Sequence, residues 1–142
     1  MSAALLARAR AAAAQAYAPY SHFHVGAAVE TATGEIFASA NLENASYGLT
    51  LCAEAGALQA ANAAGLWRAV RRIAIAGGPA AGGGGVVFPC GRCRQLVAEA
   101  AQAARYDIEV HCANADLSET FTAPISALLP QAFGPGDFSP PP

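Results

Sequence analysis

The chain has 142 residues, 54% of them hydrophobic and only 13% charged. A net charge of -2 excludes the basic footprint of a nucleic-acid or anionic-membrane binder, and no apolar run long enough to span a bilayer is free of charges. At this length one domain, residues 1–142, with a core that needs no disulfides is expected, and a charged share below the typical figure of about 25% implies surface buried against other copies.

Residues 3–17 read as a helix rich in Ala and Leu, ended by Tyr17-Ala18-Pro19-Tyr20, because proline disfavours helix before it. Arg8 and Arg10 interrupt what would be the apolar core of a signal peptide, so a folded helix and a cytoplasmic location are expected. Phe23, Val25, Ala27 and Val29 alternate with period two, the signature of a strand. Thr33-Gly34 marks a turn, and residues 35–40 read as the returning strand of a hairpin. A polar stretch, 41–50, leads to a helix over 52–64 and a short apolar strand over 72–76. A glycine-dense loop, 77–85, follows, with a strand that Pro89 stops. A helix over 90–104, strands over 108–113 and 119–122, and a short helix near 125–129 complete the pattern. From about residue 134 the tail is rich in Pro and Gly and reads as irregular. Strands interleaved with helices of these lengths predict an α/β fold of three layers with a mixed sheet.

Cys52-Ala53-Glu54 and Pro89-Cys90-Gly91-Arg92-Cys93 carry the chemistry. Cys90 and Cys93 have the commonest spacing for two zinc ligands, and Cys52 brings a third. Catalytic zinc sites keep a coordination position open, and Glu54 is a carboxylate suited to work on the water held there. Each cysteine falls at a helix start, where partial positive charge favours thiolate over thiol. Cys52 and Glu54 are about 200° apart around a helix, so both reach one site only if it lies off the helix end. Three thiolates over-neutralise Zn²⁺, which calls for positive compensation; the helix dipoles, Arg92 and Arg94 are the candidates.

Other readings of these residues exist. A C-x-x-C can be a redox pair, and Cys112 could close a four-cysteine structural site, although a buried thiol suits its strand position better. His22 and His24 lie on the opposite parity from the apolar positions of their strand and are expected at solvent or an interface. The glycine loop lacks the ending of a phosphate-binding loop.

The zinc motif is similar to the three-cysteine variant of the zinc-deaminase signature. Tyr17 to Ala28 (YAPYSHFHVGAA), Asn41 to Tyr47 (NLENASY), Cys90 to Gln95 (CGRCRQ) and Leu128 to Gly136 (LLPQAFGPG) extend the likeness. Together they resemble the small, homotetrameric class of zinc-dependent cytidine deaminases over nearly the whole chain. That resemblance implies an α/β/α sandwich around a five-stranded mixed sheet, one Zn²⁺ per subunit, and hydrolysis of cytidine and 2′-deoxycytidine in pyrimidine salvage. It also implies roles: Cys52, Cys90 and Cys93 as ligands, Glu54 as proton shuttle, and Asn41 and Glu43 on the ribose 3′-hydroxyl. Phe23 would pack on the pyrimidine and the Ala53 backbone would meet the base edge. Ala45, Tyr47 and Phe133 would enter a neighbouring subunit's pocket. Two positions depart from the pattern. Ala55 stands where many relatives carry an arginine that bonds a zinc thiolate, and Phe88 stands where a small polar residue is common. Arg92 or Arg94 is expected to take over the missing arginine's part. Two rival readings share parts of the pattern: a deaminase of blasticidin-type cytosine nucleosides, and a non-catalytic zinc-binding protein. Asn41-Leu42-Glu43 and Phe133 argue against the first.

Overall fold

The computed structural model describes residues 2–142. Helix α1 (Ser2–Ala13) precedes the hairpin β1 (Phe23–Thr31) and β2 (Ile36–Ala40); α2 (Ala53–Ala63), β3 (Val70–Pro79), α3 (Gly91–Ala104), β4 (Glu109–Asn114), β5 (Thr120–Pro124) and α4 (Ile125–Leu128) follow. The five strands lie in the order β2-β1-β3-β4-β5. β3 and β4 run parallel, and the other neighbours pair antiparallel. The sheet is therefore mixed, as the alternating elements predict.

Two apolar clusters show how the layers form. Ala27 and Val29 join Ile73, Ile75, Val110 and Cys112 with Ala57 and Leu58 of α2 and Val97 of α3. Ala28 points the other way and joins Leu5, Leu6 and Ala9 of α1 with Ala74, Ala76 and Ala113. β1 is thus buried on both faces, which period-two reading alone assigned to one. Each large aliphatic side chain in these layers contributes roughly 1.5–3 kcal/mol by leaving water. Small residues let α1 sit close: a Cβ on Gly26 would lie 1.8 Å from the Ala9 carbonyl oxygen.

Three elements differ from the sequence expectation. α1 stops at Ala13 rather than 17, because Tyr17 is drawn into pairing with the segment after β2: its N–H donates to Asn41 O (3.0 Å) and its carbonyl accepts from Glu43 N (2.9 Å). β3 continues through Gly77 and Gly78 to Pro79, so part of the supposed loop is sheet. A Cβ at Gly77 would lie 2.3 Å from His24 O, so glycine there serves strand packing. No strand forms between Gly85 and Pro89. Gly82, Gly83 and Gly84 all have positive φ, and only the Val87 N–H reaches a strand carbonyl, Ala113 O at 3.3 Å. Beyond Phe133 the chain is irregular apart from a 3₁₀ turn at Pro135–Asp137.

Ala40, Ala76 and Ala113 lie level across the sheet. β2, β3 and β4 therefore finish at one end, and from β2 and β3 the chain leaves that end toward the starts of α2 and α3, while β4 turns back into β5. The carboxyl ends of strands, beside helix N-termini, form the usual ligand crevice of an α/β sheet.

Candidate active site

Cys52 is the N-cap of α2 and Cys90 the N-cap of α3, both with extended backbone, and Cys93 lies in the first turn of α3. Two helix starts thus converge end-on. The three Sγ atoms lie within 4.8 Å of one another and form the metal-competent cluster among the described residues. Tetrahedral zinc with Zn–S near 2.3 Å places sulfurs about 3.8 Å apart, so the set fits one such ion after small side-chain rotations. All three are free thiols. The hydrogen bond from the Cys93 thiol brings Cys52 down to about 6, against the effect of burial. Cys93, the donor, is pushed far above the usual thiol range by that same bond and by burial. The pair shares one proton, which a metal would release on binding.

Glu54 lies in the first turn of α2, two residues past Cys52, and is 4% exposed. Burial pushes its carboxyl above the usual range, opposed by hydrogen bonds from its own backbone N–H and the Cys93 thiol. A buried carboxyl whose proton affinity is raised is equipped both to accept and to return a proton. Ala53, between ligand and acid, is fully buried.

The remaining candidates lie at strand ends and turns outside the sulfur cluster. Asn41 follows β2 and continues its pairing by side chain: Oδ1 accepts from Val25 N (3.0 Å) and Nδ2 donates to Phe23 O (2.9 Å). Each end of the amide keeps one further donor or lone pair for a ligand. Oε1 of Glu43 accepts from Tyr20 N (3.0 Å) and Ser21 N (3.2 Å), and Oε2 accepts from the Ser21 hydroxyl. Ser21 above all holds the Glu43 carboxyl below its ordinary range. With Tyr20, Ser21, Tyr47 and Thr50, Glu43 lines a cavity of about 400 Å³. Phe23 is partly exposed, Ala45 is exposed, Tyr47 is 74% exposed, and Phe133 is 61% exposed.

Residues 2–107 match the family described as the cytidine and deoxycytidylate deaminase zinc-binding region. The chain belongs to that family. Among its relatives, the cytidine deaminase of Halalkalibacterium halodurans is 43% identical over 126 residues, 87% of either chain. That of Sporosarcina psychrophila is 38% identical over 139 residues, 95% of this chain and 93% of its own. The crystal structure of cytidine deaminase from Burkholderia pseudomallei superposes with a TM-score of 0.81 at 41% identity, covering 92% of this chain and 98% of that one. The Mycobacterium tuberculosis cytidine deaminase structure gives 0.73 at 34% identity, covering 93% and 96%. The α/β/α fold and the zinc-dependent deaminase character of this family member are thereby established.

The positive compensation for three thiolates differs between the two arginines considered. Arg92 is exposed, and its charge helps to lower the Cys52 thiol. Arg94 is instead engaged with backbone: Nε donates to Pro89 O (2.8 Å) and Nη1 to Leu128 O (3.0 Å). Expected beside the sulfurs, Arg94 supports the ligand loop from behind. Cys112 is fully buried, lies outside the sulfur cluster, and is pushed up to about 12 by burial. His22 is exposed, whereas His24 is half-buried and faces a small cavity with Arg10 and Gly78 rather than open solvent. Phe88 packs edge-on against Phe121 at 5.2 Å between centroids.

Two residues escaped sequence reasoning. Ser21 holds Glu43, and its signal was a hydroxyl in the tight turn before β1. Gln95 donates to Phe133 O at 2.7 Å. It stood inside the quoted CGRCRQ segment, but its partner lies 38 residues away and only folding reveals it.

Proposed function

We propose that the chain is a cytidine deaminase of pyrimidine salvage, cytoplasmic and homotetrameric. It would hydrolyse cytidine and 2′-deoxycytidine to uridine and 2′-deoxyuridine with release of ammonia. One observation carries the reading: a buried carboxyl, Glu54, shares a helix start with a three-thiol zinc cluster in a chain of this family. The relatives' names support the substrate, and the likeness over most of the chain supports the rest. No helix among the described residues is long and apolar enough to cross a membrane.

Bound by Cys52, Cys90 and Cys93, zinc supplies a water acidic enough to act as nucleophile near neutral pH. Glu54 would take a proton from the attacking water and pass it to N3 of the pyrimidine as C4 is attacked. It would then take the proton of the new C4 hydroxyl and deliver it to the amine as the C4–N bond breaks and the carbonyl forms. Its raised pKa suits a group that must act in both directions. Asn41 and Glu43 address the ribose 3′-hydroxyl, and the turn at Tyr20-Ser21 keeps Glu43 ionised for that purpose. Phe23 packs on the base, whose edge meets the Ala53 backbone. Ala45, Tyr47 and Phe133 are exposed on a single chain because they complete a neighbour's pocket.

The test is direct. Zinc-loaded protein is mixed with cytidine, 2′-deoxycytidine or blasticidin S, and the ultraviolet loss of the cytosine chromophore is followed. Turnover of the first two is expected. A zinc-loaded protein that leaves both unchanged, or that turns over only the antibiotic, refutes the reading.

A further inference from the structure

α3 carries two things at once. Its first turn holds Cys90 and Cys93, and its flank holds the segment that ends the fold. Arg94 Nη1 donates to Leu128 O at 3.0 Å while Nε holds Pro89 O, the carbonyl just before the first ligand of the turn. One residue on, Gln95 Nε2 donates to Phe133 O at 2.7 Å. Two turns further, Gln102 packs against buried Gly134, where a Cβ would lie 2.0 Å from the Gln102 Oε1. Gly134 N also donates to Asp137 Oδ2 (2.8 Å), which closes the segment on itself. The backbone around Phe133 is thus held by α3, while its ring stays 61% exposed. Nothing in the metal chemistry requires Gln95 to reach so far. The hydrogen bond makes sense if the ring must be held at a set distance from the zinc turn.

We propose that Gln95, assisted by Arg94, is a positioning residue that fixes segment 128–134 to α3 and so presents the Phe133 ring at a defined place. The inference rests on the reading above in which Phe133 enters a neighbouring subunit's site. α3 then links two sites, holding the metal of its own subunit and placing the ring that its subunit lends to another. An exposed ring on an untethered segment would have to be ordered on each binding event, and that entropic cost weakens substrate binding without touching the chemistry.

The test uses the full-length, zinc-loaded enzyme. Gln95→Met keeps length and removes the donor. It is expected to raise KM for cytidine about three- to tenfold, the scale of one lost hydrogen bond, with kcat within about twofold and zinc content unchanged. Gly134→Ala, which displaces the segment without altering the metal turn, should give the same KM-only change. In a Phe133→Ala background, Gln95→Met should shift KM less than about twofold, because the ring it places is gone. Finally, parent subunits assembled with an excess of Glu54→Ala/Gln95→Met subunits should show the raised KM, whereas assembly with Glu54→Ala subunits alone should not. Parental KM in both Gln95→Met and Gly134→Ala overturns the proposal, as does an undiminished Gln95 effect without the ring, or an effect confined to the subunit that carries the change. If Phe133→Ala itself leaves KM unchanged, the trans reading of Phe133 fails and the proposal falls with it. A raised KM in Phe133→Ala beside a parental KM in Gln95→Met sinks the positioning role alone.

Discussion

The sulfur cluster and the substrate approach are built in opposite ways. Cys93, Ala53 and Glu54 are buried by their own chain, on helices packed into the main apolar cluster. Tyr47, Phe133 and Phe23 stand exposed on turns and strand ends. The proton chemistry needs burial, because desolvation is what raises Glu54, and one chain supplies it. The aromatics proposed to wall the base are, by contrast, left exposed by one chain. Exposed aromatics rimming a site are a mark of surface that a partner covers. On the proposed reading, a subunit therefore holds the groups for proton chemistry and only part of the pocket.

The largest effect that can probe this contrast belongs to the buried half. Glu54→Gln is expected to lower kcat by at least the 10²–10⁴-fold typical of a lost acid–base group, with zinc content retained by metal analysis. A variant that stays within tenfold of the parent would remove Glu54 from the proton path. Next comes the open half: if Phe133 enters a neighbour's site as proposed, Phe133→Ala should raise KM by about tenfold or more, the scale of an aromatic anchor at a subunit contact. Its thermal midpoint measured on dissociated subunits should hardly move, since the ring is mostly exposed on its own chain and meets only Phe138 edge-on. A large loss of subunit stability would instead make Phe133 a core residue.

Smaller effects sharpen the boundary between the halves. Ser21 is the main reason that the Glu43 carboxyl sits below its ordinary range. Ser21→Ala should raise KM about two- to tenfold, and the acid limb of the KM profile should move to higher pH as Glu43 returns toward its usual value. An unmoved limb would separate Glu43 from substrate binding. His111, far from either half on the α1 side of β4, serves as a control. Its Nδ1 lies 3.0 Å from Thr122 Oγ1, its Nε2 is buried without a hydrogen bond, and burial lowers its pKa despite Glu109 nearby. The folded state thus prefers neutral His111. Its stabilising contribution is full above the ordinary histidine value near 6.5 and fades as pH falls below it. The thermal midpoint of His111→Gln should fall less than the parent's between pH 7 and 5.5, with kcat unchanged; equal slopes would assign acid sensitivity elsewhere.

The legible parts of this molecule are those governed by near neighbours in the chain. Glycine sets the turn at Thr33-Gly34 between β1 and β2, whereas the strand expected before Pro89 does not form. Ligand spacing placed three sulfurs and a carboxyl off two helix ends, where they are found. Misreadings arise wherever a distant segment intervenes. α1 ends early because Tyr17 pairs with Asn41 and Glu43, and the supposed loop at Gly77 is strand because β1 and β4 flank it. Arg94, read as a partner for thiolates, is turned by the fold toward Pro89 and Leu128.

The sequence by itself determined the metal chemistry, since thiol spacing at a helix start is a local property that periodicity and residue type suffice to reveal. Only the tertiary structure decided how buried Glu54 is, which arginine meets which carbonyl, and that α3 grips the segment bearing Phe133. Desolvation and hydrogen bonds between residues tens of positions apart exist only once the layers have closed, and those contacts separate a zinc motif from a working site.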